Sequence, residues 1–535
     1  MRRWSVVVLL GLVAGCAARP RTGPVTASEA PSAAPREELA WATFAPATFA
    51  RAKAEHKLVI MDGSAEWCHW CHVMEATTYH DPAVRKVLDE RFIAVKVDID
   101  TRPDLAERYG DYGWPATVIF SPDAVEIGKY RGYIAPETFT EILRSASMDG
   151  AATTADAVGL SRPAPDQALA EETLAMVGRF AEAELEDYWD EEQGGWGKTQ
   201  KAPVGCDNLW MLEKGFVQGN AEARRRALFT LDQQSKLLDA VWGGIYQYSA
   251  ASDWDHAHFE KLMTFQAPAL ESYAIAYRHT RDPKQLARAR SVLGYVDRFL
   301  RGPDGGFYTT QDADLNAHDR ARPFLDGHAY YALGERERLA RGIPRVDTNV
   351  YGRENGLAIA AYVAMFEATA DAGVLARAKE GALRVASTHR TGRGGIAHAA
   401  SKEEPKQLFL GDNAAYGWGL VRLHDADPSG PWLASARAIG DFLLAELADP
   451  SGGGLFATTA DPDAVGIFAT RRVPFEENVL ALRFLARLAR ATKDARYTHQ
   501  IARVLRAISV PEELKARGRW LGDYLLALEE TRGVR

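Results

Sequence analysis

The sequence has few cysteines and no surplus of positive charge. Four cysteines in 535 residues are too few for a disulfide-rich scaffold. Lysine and arginine total 64 against 72 acidic residues, so the net charge is −8 and a nucleic-acid-binding role is not expected. With 47% hydrophobic and 25% charged residues, the composition is that of a folded protein with two or three domains.

The first residues predict an exported protein with a lipid anchor. Arg2 and Arg3 precede an apolar run, 6–14, which is too short to span a bilayer but suits a signal peptide. The run ends in small residues before Cys16, which resembles a bacterial lipobox and predicts Cys16 as the lipidated first residue of the mature chain. The alternative is a plain cleaved signal peptide. Residue 17 is alanine rather than aspartate, which favours a lipoprotein of the outer membrane that faces the periplasm.

Two segments rich in small residues and proline divide the chain. Residues 17–37 contain much alanine, proline, serine and threonine and predict a flexible tether with a reach of roughly 25 Å. Residues 149–165 have a similar composition and predict a linker. The predicted organisation is a signal peptide over 1–16, the tether, a first domain over 38–148, the linker, and a second domain over 166–535.

The first domain has the pattern of a thioredoxin-like α/β domain. Apolar strands are predicted over 57–62, 92–98, 116–120 and 125–130, with one helix between the first two strands and another after Pro136. Cys68-x-x-Cys71 lies where the first strand passes into the helix, so the helix N-terminus favours a thiolate at Cys68. Cys71 can then resolve a mixed disulfide. The pattern therefore predicts thiol–disulfide exchange with Cys68 as the nucleophile.

The residues around this pair resemble the thioredoxin active site. The stretch 59–71, the acid Asp62, the base Lys96 and the tripeptide Gly113-Trp114-Pro115 each match a thioredoxin feature. The sequence Cys-His-Trp-Cys-His-Val-Met over 68–74 is more similar still to the spermatogenesis-associated thioredoxin-like protein family. The resemblance implies that Asp62 and Lys96 assist proton transfer and that a cis Pro115 presents the substrate.

Other interpretations of the motif stay open. Residues 68–72 also satisfy the C-x-x-C-H pattern of haem attachment, their cysteines and histidines could bind zinc or copper, and the pair could be a structural disulfide. The side chains predicted to tune the redox potential are His69, Trp70, His72, Trp67 and Trp114. The alternative for His69 and Trp70 is docking against the second domain.

The sequence gives no indication of a cofactor or a resident metal, and we predict neither. The predicted partners are exported protein thiols or disulfides and an upstream electron donor, and a glycan is a further candidate.

The second domain is helical and repetitive. About twelve amphipathic segments follow residue 166. They are punctuated by five turns of the form Gly-Gly-apolar: Gly194-Gly195-Trp196, Gly243-Gly244-Ile245, Gly305-Gly306-Phe307, Gly394-Gly395-Ile396 and Gly453-Gly454-Leu455. Each turn is interpreted as marking one helical hairpin, with glycine allowing a positive φ. Six hairpins that close into a ring make an (α/α)6 toroid, and an open solenoid is the alternative.

The family resemblance continues into this domain. The stretches 243–263 and 304–314 are similar to the same family, whose members resemble a thioredoxin domain fused to a six-hairpin-glycosidase-like toroid. The predicted fold is therefore multidomain, with the α/β thioredoxin-like domain followed by the all-α toroid. Departures from the family pattern at 197–203 and 476–478 leave an inherited toroid activity open.

A catalytic toroid needs carboxylates that face one cavity. The cavity candidates are Trp254, His258, Glu260, Lys261, Asp312, Asp314 and Asp412. The segment 151–535 holds 8 of the 13 tryptophans, which is no enrichment and does not favour sugar binding. Residues 256–260 alternate metal-ligating side chains, with a structural loop as the alternative. Cys206 is interpreted as a buried inert thiol, or as a partner of the C-x-x-C pair.

The sequence therefore predicts a membrane-anchored thiol–disulfide oxidoreductase with an appended toroid that binds substrate or partner. Two other functions stay open: a carbohydrate-processing or glycan-binding envelope protein with a structural thioredoxin-like domain, and a non-enzymatic scaffold.

Overall fold

The structure is a computed structural model that describes residues 39–148, 168–319 and 321–535. The predicted signal peptide, Cys16, the tether 17–37 and the linker 149–165 lie outside the described residues. Residues 40–535 form one compact unit. The elements of its first part are α1 (Pro46–Glu55), β1 (Leu58–Ser64), α2 (His69–Thr77), α3 (Pro82–Arg91), β2 (Phe92–Asp98), α4 (Pro103–Tyr109), β3 (Ala116–Phe120), β4 (Glu126–Arg131) and α5 (Pro136–Ser145).

A four-stranded mixed sheet in the order β2-β1-β3-β4 forms the thioredoxin-like domain. Strand β1 pairs in parallel with β2 and antiparallel with β3, and β3 pairs antiparallel with β4. All seven residues of β1 are buried, as expected for a continuous apolar run in the middle of a sheet. The four predicted strands are confirmed.

Two helices, rather than the predicted one, connect β1 to β2. Helix α2 ends at Thr77, and α3 begins after Asp81, whose carboxylate accepts hydrogen bonds from the backbone N–H groups of Ala83 and Val84. Pro82 occupies the first position of α3, where its missing N–H is not needed. The cap and the proline therefore start a new helix, and only the short α2 carries the cysteine pair.

Helices and short strands make up the second part of the unit. They are α6 (Glu171–Glu186), α7 (Gly205–Leu212), α8 (Ala221–Gln234), β5 (Tyr248–Ser249), β6 (Ala257–His258), β7 (Lys261–Leu262), α9 (Met263–Thr280), α10 (Pro283–Phe299), β8 (Thr310–Gln311), α11 (Gly327–Tyr331), α12 (Glu335–Arg341), β9 (Val346–Asp347), α13 (Gly352–Thr369), α14 (Ala372–Thr388), α15 (Leu410–Ala426), α16 (Trp432–Phe442), α17 (Phe475–Thr492), α18 (Ala495–Ile508), α19 (Pro511–Arg517) and α20 (Gly522–Thr531).

Six of these helices form a closed inner ring. Each packs on the next in the order α7, α9, α13, α15, α17 and α20, and α20 packs back on α7. Six outer helices, α8, α10, α14, α16, α18 and α6, pack mainly on these inner helices in the same order. The closing contact between α20 and α7 makes this an (α/α)6 toroid rather than an open solenoid.

Each of the five Gly-Gly turns comes before an inner helix. Each connects an outer helix to the next inner helix, not the two helices of one hairpin. The first glycine of every turn has a positive φ, between 66° and 91°, as expected for a residue without a Cβ. In all five cases the apolar residue that ends the turn forms an isolated β-bridge with a residue that lies four or five positions before the first glycine.

An amide side chain from the following inner helix fixes four of these turns. In α13, the Asn355 amide accepts from the Phe307 backbone N–H and donates to the Phe307 carbonyl, both at 2.9 Å. The equivalent amides Gln266, Asn413 and Asn478 bind their turns in the same way. All four are the fourth residue of their helix. Because neighbouring helical residues point in different directions, the residue before each amide is free to face another part of the ring.

None of the helices among the described residues has both the length and the apolar content that crossing a lipid bilayer requires.

Candidate functional site at the junction of the two domains

The cysteine pair lies at the start of α2, directly after β1. Cys68 is the N-cap residue, and its sulfur accepts a hydrogen bond from the Cys71 backbone N–H at 3.2 Å. Cys68 and Cys71 are joined by a disulfide bond. Because unpaired backbone N–H groups at a helix start stabilise negative charge, this position favours the Cys68 thiolate once the bond is reduced.

The toroid covers this disulfide. Cys68 is only 4% exposed and Cys71 only 6%. The two cysteines share an apolar cluster with Trp67 and with Leu262, the last residue of β7 in the toroid, directly before α9. Trp114 packs against the same cluster, and the Trp114–Pro115 peptide bond is cis. A large protein substrate therefore cannot reach either sulfur while the toroid is in place.

A buried acid lies in the strand that precedes the pair. Asp62 stands opposite Lys96 in the β1–β2 register, and burial raises the pKa of Asp62 to about 7. Its Oδ1 has no hydrogen-bond partner among the described residues. The Lys96 ammonium donates instead to Glu75 at 2.6 Å. A carboxyl group that can gain or lose its proton near neutral pH therefore lies in the strand that leads to the cysteine pair.

The histidines of the motif bind the toroid. His69 Nδ1 and His72 Nδ1 both donate to Asp314 Oδ2, at 2.8 and 3.2 Å. The hydrogen bond that His69 donates to Asp314 raises the pKa of His69. Although burial opposes the change, the same bond and the one from His72 lower the pKa of Asp314 to about 2. Trp70 is 40% exposed, and its ring lies against Tyr133 of its own domain. His69 therefore docks against the toroid, and Trp70 lies at the exposed edge of the junction, close to Tyr248 of the toroid.

Two further cavity candidates lie beside His69. Glu260 Oε1 accepts from the His69 backbone N–H at 3.3 Å, and Glu260 Oε2 has no hydrogen-bond partner among the described residues. Burial raises the pKa of Glu260 to about 7. The His258 ring stacks on Tyr248, with ring centres 4.2 Å apart, and burial lowers the pKa of His258 to about 4.

The candidates Trp254 and Lys261 have structural contacts within the toroid. Trp254 is buried and its Nε1 donates to the Gln193 carbonyl at 2.9 Å. The Lys261 ammonium donates to Asp239 Oδ2 at 2.8 Å, and Arg338 donates to the same oxygen at 2.7 Å. Burial lowers the pKa of Lys261 to about 8. Asp239 is therefore the anion that balances two buried cations.

Replacing Asp239 with alanine is expected to destabilise the protein by about 3–5 kcal/mol, because Lys261 and Arg338 would be left as uncompensated buried charges. Chemical denaturation measures the change. The control is Asp232→Ala, which removes a carboxylate that is 58% exposed and pairs with Arg288, and which should shift stability by less than about 1 kcal/mol. Equal shifts for the two variants would contradict this account of the Lys261 site.

Asp412 positions a histidine against the thioredoxin-like domain. Both Asp412 oxygens lie 3.1 Å from His398 Nδ1, and His398 Nε2 donates to the Asp100 backbone carbonyl at 2.7 Å. With a hydrogen bond from each ring nitrogen, the imidazole has to be protonated. Although burial opposes the charge, Asp412 raises the pKa of His398 to about 9.

The stabilisation that His398 supplies is expected to be complete below pH 6.5, its ordinary pKa, and to be lost as the pH rises through about 9. The full effect is at most about 3 kcal/mol. The measurement compares the free energies of unfolding of the wild type and His398→Gln across this pH range. Glu354 and His389 also face His398, but both are present in the two proteins, so their own titration largely cancels in the difference. A difference that does not shrink with rising pH would contradict the assignment.

Sequence reasoning missed two acids at the starts of inner helices. Glu354 and Glu477 are the third residues of α13 and α17, and each has one oxygen without a hydrogen-bond partner among the described residues. Burial raises the pKa of Glu477 to about 8 and also raises the pKa of Glu354. The signal was present as a repeated acid-asparagine pair at the start of four inner helices: Asp207-Asn208, Glu354-Asn355, Asp412-Asn413 and Glu477-Asn478.

Cys206 and His256 contact neither the cysteine pair nor the acids at the starts of the inner helices described above, apart from the contact of Cys206 with Asp207. Burial raises the pKa of the Cys206 thiol well above its usual range, and its sulfur lies 3.6 Å from Asp207 Oδ1. His256 pairs with Asp253 at the surface, at 2.8 Å, rather than with His258.

Comparisons with known proteins agree with this architecture. Residues 32–147 match the profile of the thioredoxin-like DsbH family, described as a protein of unknown function, DUF255. Spermatogenesis-associated protein 20 of Homo sapiens is 26% identical over 334 residues, which cover 56% of this chain and 42% of that protein. The resemblance seen in the sequence is thus confirmed, and the aligned part spans about two fifths of the length of the curated relatives.

Solved structures match the toroid. The crystal structure of D-mannose isomerase gives a TM-score of 0.52 with 14% identity and covers 69% of this chain and 98% of that one. Cellobiose 2-epimerase from Spirochaeta thermophila gives 0.51 with 16% identity and covers 68% and 98%. At these identities the likeness establishes the fold alone. The predicted fold, a thioredoxin-like domain followed by an (α/α)6 toroid, is confirmed.

Proposed function

We propose that this chain is a thiol–disulfide oxidoreductase whose Cys68–Cys71 pair works under cover of the toroid. The observation that carries the proposal is the joined cysteine pair at the N-terminus of α2, after a fully buried strand and beside the cis Pro115 loop. The thioredoxin-like profile over 32–147 supports the same reaction class.

In the proposed reaction the Cys68 thiolate attacks a disulfide of the substrate. One substrate sulfur leaves as a thiolate and the other stays on Cys68 as a mixed disulfide. The Cys71 thiolate then attacks Cys68, which restores the intramolecular bond and releases the reduced substrate. With a pKa of about 7, Asp62 is suited to take the proton from the resolving thiol near neutral pH.

The toroid would select what reaches the pair. In this proposal small thiols and disulfides would approach along the exposed edge of the junction at Trp70, whereas a folded protein would need the junction to open. We further propose that Cys16 is lipidated and that the protein faces the periplasm from the outer membrane, where protein thiols or an electron donor would be its partners. Palmitate labelling of the wild type but not of Cys16→Ser tests the anchor.

Trapping of the mixed disulfide tests the proposed exchange directly. The Cys71→Ser variant is incubated with oxidised glutathione, and mass spectrometry with peptide mapping locates the adduct. We expect one glutathione per chain, on Cys68, with the same result when Cys206 is also changed to serine. An adduct on Cys206 alone, or none at all, would contradict Cys68 as the nucleophile.

A second candidate function is carbohydrate processing in the toroid. It is favoured by Glu354 and Glu477, whose raised pKa values and unpartnered oxygens at the starts of inner helices suit acid–base chemistry. The two solved enzymes of this fold are named for D-mannose and cellobiose. The test is whether the protein converts these sugars. Activity that is lost in Glu477→Gln and kept in Glu476→Gln, a change at the exposed neighbour, would support the second function. No conversion by the wild type would exclude these two substrates.

A further inference from the structure

We propose that the chain binds a divalent transition-metal ion between its two domains, a site separate from the cysteine pair. The ligands are the Nε2 atoms of His72 and His318, Asp312 Oδ2 and the backbone carbonyl oxygen of Glu66. His72 and Glu66 belong to the thioredoxin-like domain, and Asp312 and His318 belong to the toroid.

The four atoms already lie at distances that suit one ion. His318 Nε2 is 2.7 Å from the Glu66 oxygen and 3.3 Å from Asp312 Oδ2. His72 Nε2 is 3.0 Å from the Glu66 oxygen and 3.9 Å from Asp312 Oδ2. Bonds of about 2.0–2.1 Å in a tetrahedral site place neighbouring ligand atoms about 3.3 Å apart. Small side-chain movements are therefore enough to form the site.

The Asp312 carboxylate supplies the second, independent observation. Its Oδ1 accepts from the Asp314 backbone N–H at 2.8 Å, whereas Oδ2 is buried without a hydrogen bond among the described residues. This oxygen faces His72 and His318. A buried carboxylate oxygen directed at two imidazoles is a costly arrangement unless a cation or protons balance it.

The orientation of His72 suits a ligand. Its Nδ1 donates to Asp314, so its Nε2 is directed toward the Glu66 oxygen and Asp312. The ring centre of His318 lies 4.8 Å from that of His72, so the two imidazoles border the same space. A bound ion would accept electron pairs from all four atoms.

The surroundings match those of known ligand histidines. A histidine that binds a metal commonly donates its other ring N–H to a carboxylate, and Asp314 does this for His72. Two imidazole nitrogens with two oxygens suit zinc or a similar first-row ion better than magnesium or calcium. His318 is 33% exposed on its side chain, which leaves a route from solvent.

Such an ion would hold the toroid on the thioredoxin-like domain, because each domain supplies two ligands. It would also fix α2 directly behind Cys71, since His72 is the next residue. The sulfurs take no part in this site.

Zinc binding by the full chain with its disulfide intact tests the proposal. The protein is treated with chelator, loaded with zinc and dialysed, and zinc is measured by elemental analysis and by competition with a chromophoric chelator. We expect about one zinc per chain in the wild type and a loss of affinity of about tenfold to a hundredfold in Asp314→Asn, the positioning residue. His318→Ala should bind at least as weakly.

The matched control is His328→Ala, which removes a nearby histidine that is 77% exposed and is expected to bind zinc like the wild type. Zinc that stays bound to His318→Ala, or a wild type that retains none, would overturn the proposal. X-ray absorption of the zinc-loaded wild type covers the case in which a variant does not fold. Nitrogen and oxygen neighbours alone are expected, and sulfur neighbours would place the metal on the cysteines instead.

Discussion

Changing Cys68 to serine is expected to reduce thiol–disulfide exchange to the uncatalysed rate, whereas Cys206→Ser should leave it unchanged. The physical reason is the difference between the two sites. Cys68 is at the N-terminus of α2, where backbone N–H groups favour a thiolate, but burial raises the pKa of Cys206 far above its usual range. A buried neutral thiol is a poor nucleophile.

The rate of reduction of a small disulfide by each variant, with dithiothreitol as electron source, measures this effect. Cys206→Ser is the matched control because it removes the same chemical group from the same chain. A Cys68→Ser variant that retains wild-type activity would contradict the proposed function, and a Cys206→Ser variant that loses activity would make Cys206 a participant in the exchange.

Loosening the junction is expected to increase the rate with protein substrates but not with small ones. Arg472 Nε lies 3.1 Å from Glu107 Oε1, an ion pair that joins the toroid to the thioredoxin-like domain away from the cysteines. Arg472→Glu replaces this attraction with repulsion. If the change destabilises the closed form by about 1.4 kcal/mol, the population of the open form increases tenfold, and the rate of insulin reduction increases with it.

Arg471→Glu is the control for this prediction. Its guanidinium lines the same cavity at the junction as Arg472 but lies over the Phe456 ring of the toroid, and among the described residues it forms no ion pair with the thioredoxin-like domain. The rate with a small disulfide should be similar in both variants and the wild type. If insulin reduction by Arg472→Glu stays at the wild-type rate, the toroid is not the barrier to protein substrates.

Local chemistry made much of this architecture predictable. The strands of the first domain are short apolar runs bounded by polar residues. Cys68-x-x-Cys71 falls at a strand-to-helix turn, where the start of the helix favours a thiolate. The first glycines of the repeated turns adopt the positive φ that their residue type suggests. These features depend on neighbours in sequence, and so a single sequence is enough to recognise them.

The junction could not be predicted because it depends on residues far apart in the chain. His72 and Asp314 are separated by 242 positions, and His398 and Asp100 by 298. Sequence alone identified His72 and Asp314 as candidates but not His398 or Asp100, and it carried no distances between these residues. It therefore left open whether His69 tunes the cysteines or docks on the toroid, and it gave no sign that the disulfide is covered.

Some of the missed information was in the sequence. The acid-asparagine pairs at the starts of four inner helices are a regular signal, and the asparagine binds the preceding Gly-Gly turn in three of the four. Asn208 departs from the pattern, since its amide donates to Gln234. Aligning the repeats on these pairs would have placed the turns before inner helices and singled out Glu354 and Glu477.

The reduction potential of the Cys68–Cys71 pair tests the central claim most directly. The protein with Cys206 changed to serine is equilibrated in graded thiol–disulfide buffers, and alkylation followed by mass spectrometry gives the fraction reduced. The account predicts a reversible two-electron couple between about −120 and −270 mV, the range of working oxidoreductases. A potential below about −300 mV would contradict it, because the pair would then be a structural disulfide.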